Sequence, residues 1–202
     1  MQPSPACYVL ICSFEHCYLH AYLDQGGVPT IGWGHISGVH MGDTCTQAQA
    51  DAWLTEEIVY NSTFVERYNS TYNWTQSEFD ALTSFAYNCG GGRIKDLTAN
   101  GTRSKAQIAE AILQYNKVRD RRTQAIIVSR GLVRRRTAER TLFLNNPLPQ
   151  DIVDGAPPET PHKQEYITGG GDSNYFYPQK PVYNVPPKRS PLIYYLKPWW
   201  KL

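Results

Sequence analysis

Four side chains near the start of the chain could do chemistry together: Glu15, Asp24, Thr30 and His35. They fall within the run E-H-C-Y-L-H-A-Y-L-D-Q-G-G-V-P-T-I-G-W-G-H, residues 15–35. Cleaving a sugar–sugar bond needs two carboxyl groups with different duties. One holds a proton at neutral pH and gives it to the leaving oxygen; the other stays ionised and acts on water or on the sugar. Different duties need different surroundings, apolar for the acid and solvated for the base. Glu15 lies in an apolar run, and Asp24 adjoins Gln25-Gly26-Gly27, a turn signal. Thr30 adds a hydroxyl able to hold a water. A Glu–Asp pair alone is commonplace in any chain. The threonine, the glycines and the histidine that follow in order make this set specific.

These side chains need elements to carry them. Glu15 sits in a helix-like run over residues 6–22, in which Val9, Leu10, Phe14, Cys17 and Ala21 recur at three- and four-residue spacings. That is the repeat of a helix with one buried face. The pattern stops at Asp24, and a strand-like piece follows over residues 28–33. The expectation is a glutamate on a helix facing an aspartate on a glycine-kinked hairpin. Thr46 reads as the N-cap of a helix containing Ala48, Ala50, Trp53, Leu54 and Ile58. The next helix starts at Thr75 or Ser77, places Phe79, Leu82, Phe85 and Ala86 on one face, and stops at the glycines 90–92. Residues 107–115 read as a further helix. Residues 119–140 hold eight arginines against Asp120 and Glu139.

Three of these runs resemble the phage lysozyme family that includes the T4 and P22 endolysins (glycoside hydrolase family 24). The first is Glu15, Asp24 and Thr30 with T-I-G-W-G-H; the second is F-D-A-L-T-S-F-A-Y-N-C-G, residues 79–90; the third is G-L-V-R-R-R-T-A-E-R-T-L-F-L, residues 131–144. T-Q-A-Q-A-D, residues 46–51, is similar to a helix start in the same family. The blocks cover about residues 6–145. Between residues 117 and 129 the chain departs from the pattern: the family usually has a tryptophan and a glycine-rich turn, and here stands R-D-R-R-T-Q-A-I-I-V.

The resemblance implies an α+β, two-lobed lysozyme-like fold, mostly helical, with a small β-hairpin lobe around residues 24–45. It implies Glu15 as general acid and Asp24, helped by Thr30, as the base that orients the attacking water. Hydrolysis would invert the anomeric carbon, with the carboxyls about 6.5–9.5 Å apart. His35 would pair with an acidic residue of the following helix, Glu57 first and Glu56 second, as a structural tie. Arg135 resembles the arginine that lies against the catalytic glutamate, with Arg136 as runner-up. Asn88, polar and at a helix end near the cleft, is the candidate for binding sugar. No cofactor or metal is implied. The expected activity is hydrolysis of the β-1,4 bond between N-acetylmuramic acid and N-acetylglucosamine in bacterial peptidoglycan, which is the expected partner. Two alternatives stand beside it. A lytic transglycosylase would use the glutamate alone, and a virion structural protein would carry the lysozyme domain along with it.

Composition bounds the rest. The chain has 202 residues and a formal net charge of +2. No apolar run approaches the roughly eighteen residues of a membrane span. Residues 1–5 lack the basic start of a secretory signal. The expectation is a protein made in the host cytoplasm that reaches the cell wall after holin release, or one packaged in the virion. Five cysteines, an odd number without a Cys-x-x-Cys pair, read as free thiols. The arginine run lacks interleaved aromatics, so nucleic acid is not an expected partner. From Pro147 the composition changes: eleven of the fourteen prolines lie in residues 147–202, with six tyrosines and Trp199 and Trp200. Proline at that density blocks helix and central strand. The expected division is a catalytic domain over residues 1–146 and an extended arm over 147–202, suited to docking on a phage structural protein.

Overall fold

The first helix, α1 (Pro5–Cys12), has no polar face. The Ser4 hydroxyl caps it by accepting from the Ala6 N–H, and Pro5 at the first turn has no N–H to leave unpaired. A helix that is apolar all round must lie inside the molecule. Here α1 lies between two cores. Val9 and Leu10 pack into the larger one, and Cys7, Tyr8, Ile11 and Cys12 into the smaller. The structure, a computed structural model, describes residues 1–24, 27–119 and 123–157.

The smaller core also holds Ile31, Trp33, Ala50, Leu54 and Ile58. Its sheet is a hairpin of β1 (Tyr18–Leu23) and β2 (Pro29–Gly32), antiparallel, with Tyr22 opposite Thr30 and Leu23 opposite Pro29. Gly27 has φ +78, a conformation that L side chains rarely adopt, and its N–H donates to the Asp24 carbonyl to close the turn. Gly32 has φ +63 and a second constraint: a Cβ there would stand 3.1 Å from that of Ala50, so only glycine lets β2 lie this close to the next helix. That helix, α2 (Gln47–Glu66), begins in a capping box made by Thr46 and Gln49. It runs from Ala50 in the small core to Val65 in the large one and so connects the two lobes.

After the short α3 (Asn69–Tyr72), the larger lobe is built round α4 (Gln76–Cys89), which a second capping box, Thr75 with Glu78, begins. α5 (Arg93–Leu97), α6 (Lys105–Ile112), α7 (Arg130–Phe143) and α8 (Gln150–Gly155) pack around it. A second antiparallel hairpin, β3 (Lys117–Arg119) with β4 (Ile126–Val128), precedes α7 and occupies the stretch where the sequence departs from the family pattern. The architecture is the mostly helical, two-lobed α+β fold that the resemblance implied.

Two expectations need correcting. The helix read over residues 6–22 ends at Cys12, and residues 18–23 form β1 instead. The three- and four-residue spacing continues past Cys12 by chance of composition. The backbone beyond it is committed by pairing with β2, which no local pattern reveals. The packed core also does not stop at Asn146. Leu148, Ile152, Val153 and Ala156 are buried in the larger core, and α8 packs against α1. The proline-rich composition hides this short amphipathic helix. The remainder of the expected arm, residues 158–202, lies outside the described residues. Among the described residues, no helix is long and apolar enough to cross a membrane, and Cys7, Cys45 and Cys89 are free thiols.

α1 is anchored at its start by Asp80 of α4, which accepts from the Ser4 N–H at 2.9 Å, from the Ser4 hydroxyl, and from Gln76 Nε2 at 3.0 Å. Burial pushes the Asp80 carboxyl up from 3.8 to about 7, against the opposing effect of these hydrogen bonds. Because the folded value lies above the unfolded one, stability from this group is greatest below the ordinary carboxylate range. It is lost as pH rises from about 4 to about 7. Three units correspond to about 4 kcal/mol as an upper bound. Asp80→Asn is therefore expected to flatten the fall in melting temperature between pH 5 and pH 8. A pair of thermal melts at those pH values, compared with wild type, checks this; equal slopes would contradict it.

Candidate active site

The chain leaves α1 at Ser13, and the Glu15 N–H still donates to the Ile11 carbonyl at 3.1 Å. Glu15 is thus fixed to the last turn of a helix held on all sides. Its side chain is 27 % exposed, and Arg135 Nη1 donates to its Oε1 at 2.6 Å. Among the described residues Oε2 accepts no hydrogen bond. Arg135 comes from the middle of α7, with a side chain only 4 % exposed.

Asp24 follows directly on β1. Its Oδ1 accepts from the Val28 N–H at 2.8 Å, and its own N–H donates to the Val28 carbonyl at 3.0 Å. The Thr30 hydroxyl donates to that same carbonyl at 2.9 Å. Val28 therefore ties Asp24 and Thr30 into one unit, and the Thr30 oxygen keeps its lone pairs for accepting from water. Tyr22 stands within electrostatic reach of both Glu15 and Asp24. Burial, then Tyr18, Glu15 and Asp24, hold its phenol in the neutral form above its ordinary range. One carboxyl thus lies against a guanidinium and the other in a hairpin turn.

His35 lies just past β2. Its Nδ1 is 2.7 Å from Glu57 Oε1, its Nε2 is 3.0 Å from the Ser37 carbonyl, and its ring stacks on Trp53 at 4.5 Å. Glu57 and Trp53 both belong to α2, so the contact fastens the small lobe to the connecting helix. Glu56 has no part in it. Tyr87, which the sequence reading passed over, completes this tie. Its hydroxyl donates to the Trp33 carbonyl at 3.0 Å and lies 3.3 Å from Glu57 Oε2. Burial, with Glu57 and Glu15 nearby, pushes its phenol well up. The only sequence signal was its place beside Asn88 in the second block.

Asn88 is held from inside. Arg136 Nη2 donates to its Oδ1 at 2.6 Å, and Arg136 Nη1 lies 3.0 Å from the Cys89 sulfur. That carbonyl oxygen is spent on the protein, leaving only the amide NH2 for a sugar. Asn88→Ala is expected to cost about 1–3 kcal/mol of stability, the penalty for leaving a buried donor unpaired, with KM for peptidoglycan fragments unchanged. A raised KM at an unchanged melting temperature would instead assign Asn88 to sugar.

Three further arginines of α7 differ in exposure, two in ion pairs at the surface and one enclosed. Arg134 reaches Asp151 of α8 at 3.0 Å, Arg140 pairs with Glu110, and the Arg136 side chain has no exposed surface. Among the described residues no group of three or more His, Cys, Asp or Glu is placed to hold a metal ion.

Comparison with known proteins agrees with the fold. The chain is 42% identical over 143 residues to an endolysin of Lactococcus phage c2, covering 69% of this chain and 58% of that protein. The chain thus spans less than two thirds of that relative's length. Among solved structures it resembles an endolysin from Escherichia coli O157:H7 phage FAHEc1, with a TM-score of 0.63 and 34% identity over 74% of this chain and 97% of that one. It also resembles the muramidase domain of SpmX from Asticaccaulis excentricus, with a TM-score of 0.61 and 30% identity over 71% and 97%. The model of the phage lysozyme family matches residues 12–139. That span takes in both lobes, from the end of α1 to Glu139 of α7, and on that ground the chain belongs to the phage lysozyme family.

Proposed function

We propose that this protein is a lysozyme of the muramidase type, hydrolysing the β-1,4 bond between N-acetylmuramic acid and N-acetylglucosamine in bacterial peptidoglycan. The observation that carries the reading is the contrast between the two carboxyls near Tyr22. Glu15 is fixed by a buried arginine at Oε1, which leaves Oε2 to carry the proton for a leaving oxygen. Asp24 shares the Val28 carbonyl with Thr30, which suits it to take a proton from a water held by the threonine hydroxyl. With a water-activating base in place of a nucleophile, the product would carry the inverted configuration at the new reducing end. Purified protein should release reducing ends from isolated peptidoglycan and clear a wall suspension; no release of reducing ends would overturn the reading.

The endolysins among its relatives fit a protein synthesised in the infected cell and acting on the wall from within. We further propose that residues 158–202 dock on a partner protein of the phage. Support comes from their composition, rich in proline and in Tyr175, Phe176, Tyr177, Tyr194, Tyr195, Trp199 and Trp200. Extended proline-rich segments bind aromatic-lined grooves at low entropic cost. Recovery of the protein in purified virions, lost on removing residues 158–202, would support docking; absence from virions would remove it.

A further inference from the structure

Glu139 has no exposed surface, and nothing in the chemistry above uses it. A buried carboxylate is costly unless it is paired, so its partners show what it is for. Its Oε1 accepts from Ser84 of α4 at 2.9 Å and from Arg135 Nε at 3.3 Å. Its Oε2 lies 3.2 Å from Arg136 Nε, an ionic contact without the angle of a hydrogen bond. Glu139 thus stands between two buried arginines on its own helix, three and four residues away.

The state of Arg135 is the second observation. Its Nη1 reaches Glu15 and its Nε reaches Glu139, while its Nη2 is buried with no hydrogen-bond partner among the described residues. Phe14, whose ring centroid is 5.5 Å from the guanidinium carbon, limits tilting of the plane but not rotation within it. Two hydrogen bonds fix the direction of the fork, and one of them ends on Glu139. Without that bond, Arg135 would be free to turn its unpartnered Nη2 towards other acceptors and away from Glu15.

Charge points the same way. Burial holds the Cys7 thiol of α1 and the Cys89 thiol of α4 above their ordinary range, with Glu139 adding to both shifts. The phenols facing Glu15, Tyr22 of β1 and Tyr87 of α4, are pushed up likewise. All four stay neutral through the pH range in which such an enzyme is assayed. The charged groups around the site are then Arg135, Arg136, Glu139, Glu15, Asp24 and Glu57, with Arg134 over the same Phe14 ring as Arg135. Asp80, which titrates near neutrality, acts on Cys7 and is common to every variant below.

We propose that Glu139, braced by Ser84, is a positioning residue for the catalytic glutamate: it aims Arg135 at Glu15 and cancels the buried charge of Arg136 that would otherwise act on the same carboxyl. This inference rests on Glu15 being the proton donor of the proposed reaction. Glu139→Gln keeps the shape and removes the charge. The site then holds two uncompensated arginines, the protonated form of the acid is disfavoured, and the alkaline limb of the kcat/KM profile should move down by about one pH unit. We expect kcat to fall about tenfold or more with KM within about twofold. Glu139→Asp keeps the charge but shortens the reach, so it should lower kcat while its alkaline limb stays at the wild-type position.

The test is a pH profile of cleavage of soluble peptidoglycan fragments by wild type and both variants, with melting temperatures alongside. A merely structural role would lower the melting temperature and leave the limb of the folded fraction in place, and that result would overturn the inference. If Glu139→Gln does not fold, Ser84→Ala takes its place, with a several-fold fall in kcat expected at unchanged KM; wild-type kcat in that variant would overturn the inference. A wild-type enzyme that cleaves nothing would instead overturn the proposed function, so the two failures are distinguishable.

Discussion

Ending the chain after Asn146 is expected to abolish cooperative folding, whereas ending it after Pro157 leaves a protein that unfolds in a single transition and cleaves isolated peptidoglycan. The first cut removes Leu148, Ile152, Val153 and Ala156 from the larger core and uncovers the side of α1 on which α8 packs. Three of those four are large aliphatic side chains, each stabilising by about 1.5–3 kcal/mol when buried. Their combined loss is comparable to the whole stability of a domain, on the order of 5–15 kcal/mol. The exposed Arg134–Asp151 pair goes as well, at little cost. Circular dichroism during heating distinguishes the two chains. A cooperative melt after the shorter cut, near the wild-type temperature, would show that α8 is dispensable.

Glu15→Gln is expected to lower kcat by at least a hundredfold, since general acid catalysis contributes about 10²–10⁴. The fold should persist, because glutamine can still accept from Arg135 at the position of Oε1. Asp24→Asn should be comparably inactive: it keeps an oxygen for the Val28 N–H but cannot take a proton from water. Release of reducing ends per folded molecule measures both. Glu15→Gln with wild-type turnover would remove Glu15 from the role of acid, whatever its position.

What could be read from the sequence is instructive residue by residue. The Thr46 and Thr75 caps were legible because a capping box is a local pattern, complete within four residues. The turn after Asp24 was legible because glycine advertises it. The partners of His35 and Glu15 could be named because the matching blocks carry spacing as well as composition. The structure sets Glu57 and Arg135 against them at 2.7 and 2.6 Å.

What was missed shares one cause: it depends on contacts distant in sequence. A helix buried on all sides, such as α1, has no polar face whose end would mark where it stops. The polar run R-R-R-T-A-E-R looks solvated when read alone, yet Arg136 and Glu139 are fully enclosed because α4 supplies Ser84 and Asn88 to meet them. Proline content concealed α8, although prolines at positions 147, 149 and 157 flank the helix and leave its interior intact.

The most direct test of the central claim, that Glu15 protonates the leaving sugar while Asp24 and Thr30 deliver water, is mass spectrometry of the fragments released from peptidoglycan in ¹⁸O-enriched water. Hydrolysis predicts N-acetylmuramic acid at the new reducing end with one solvent oxygen at its anomeric carbon. A 1,6-anhydro sugar with no solvent oxygen would contradict the account, because Glu15 would then be acting alone, without Asp24 or Thr30.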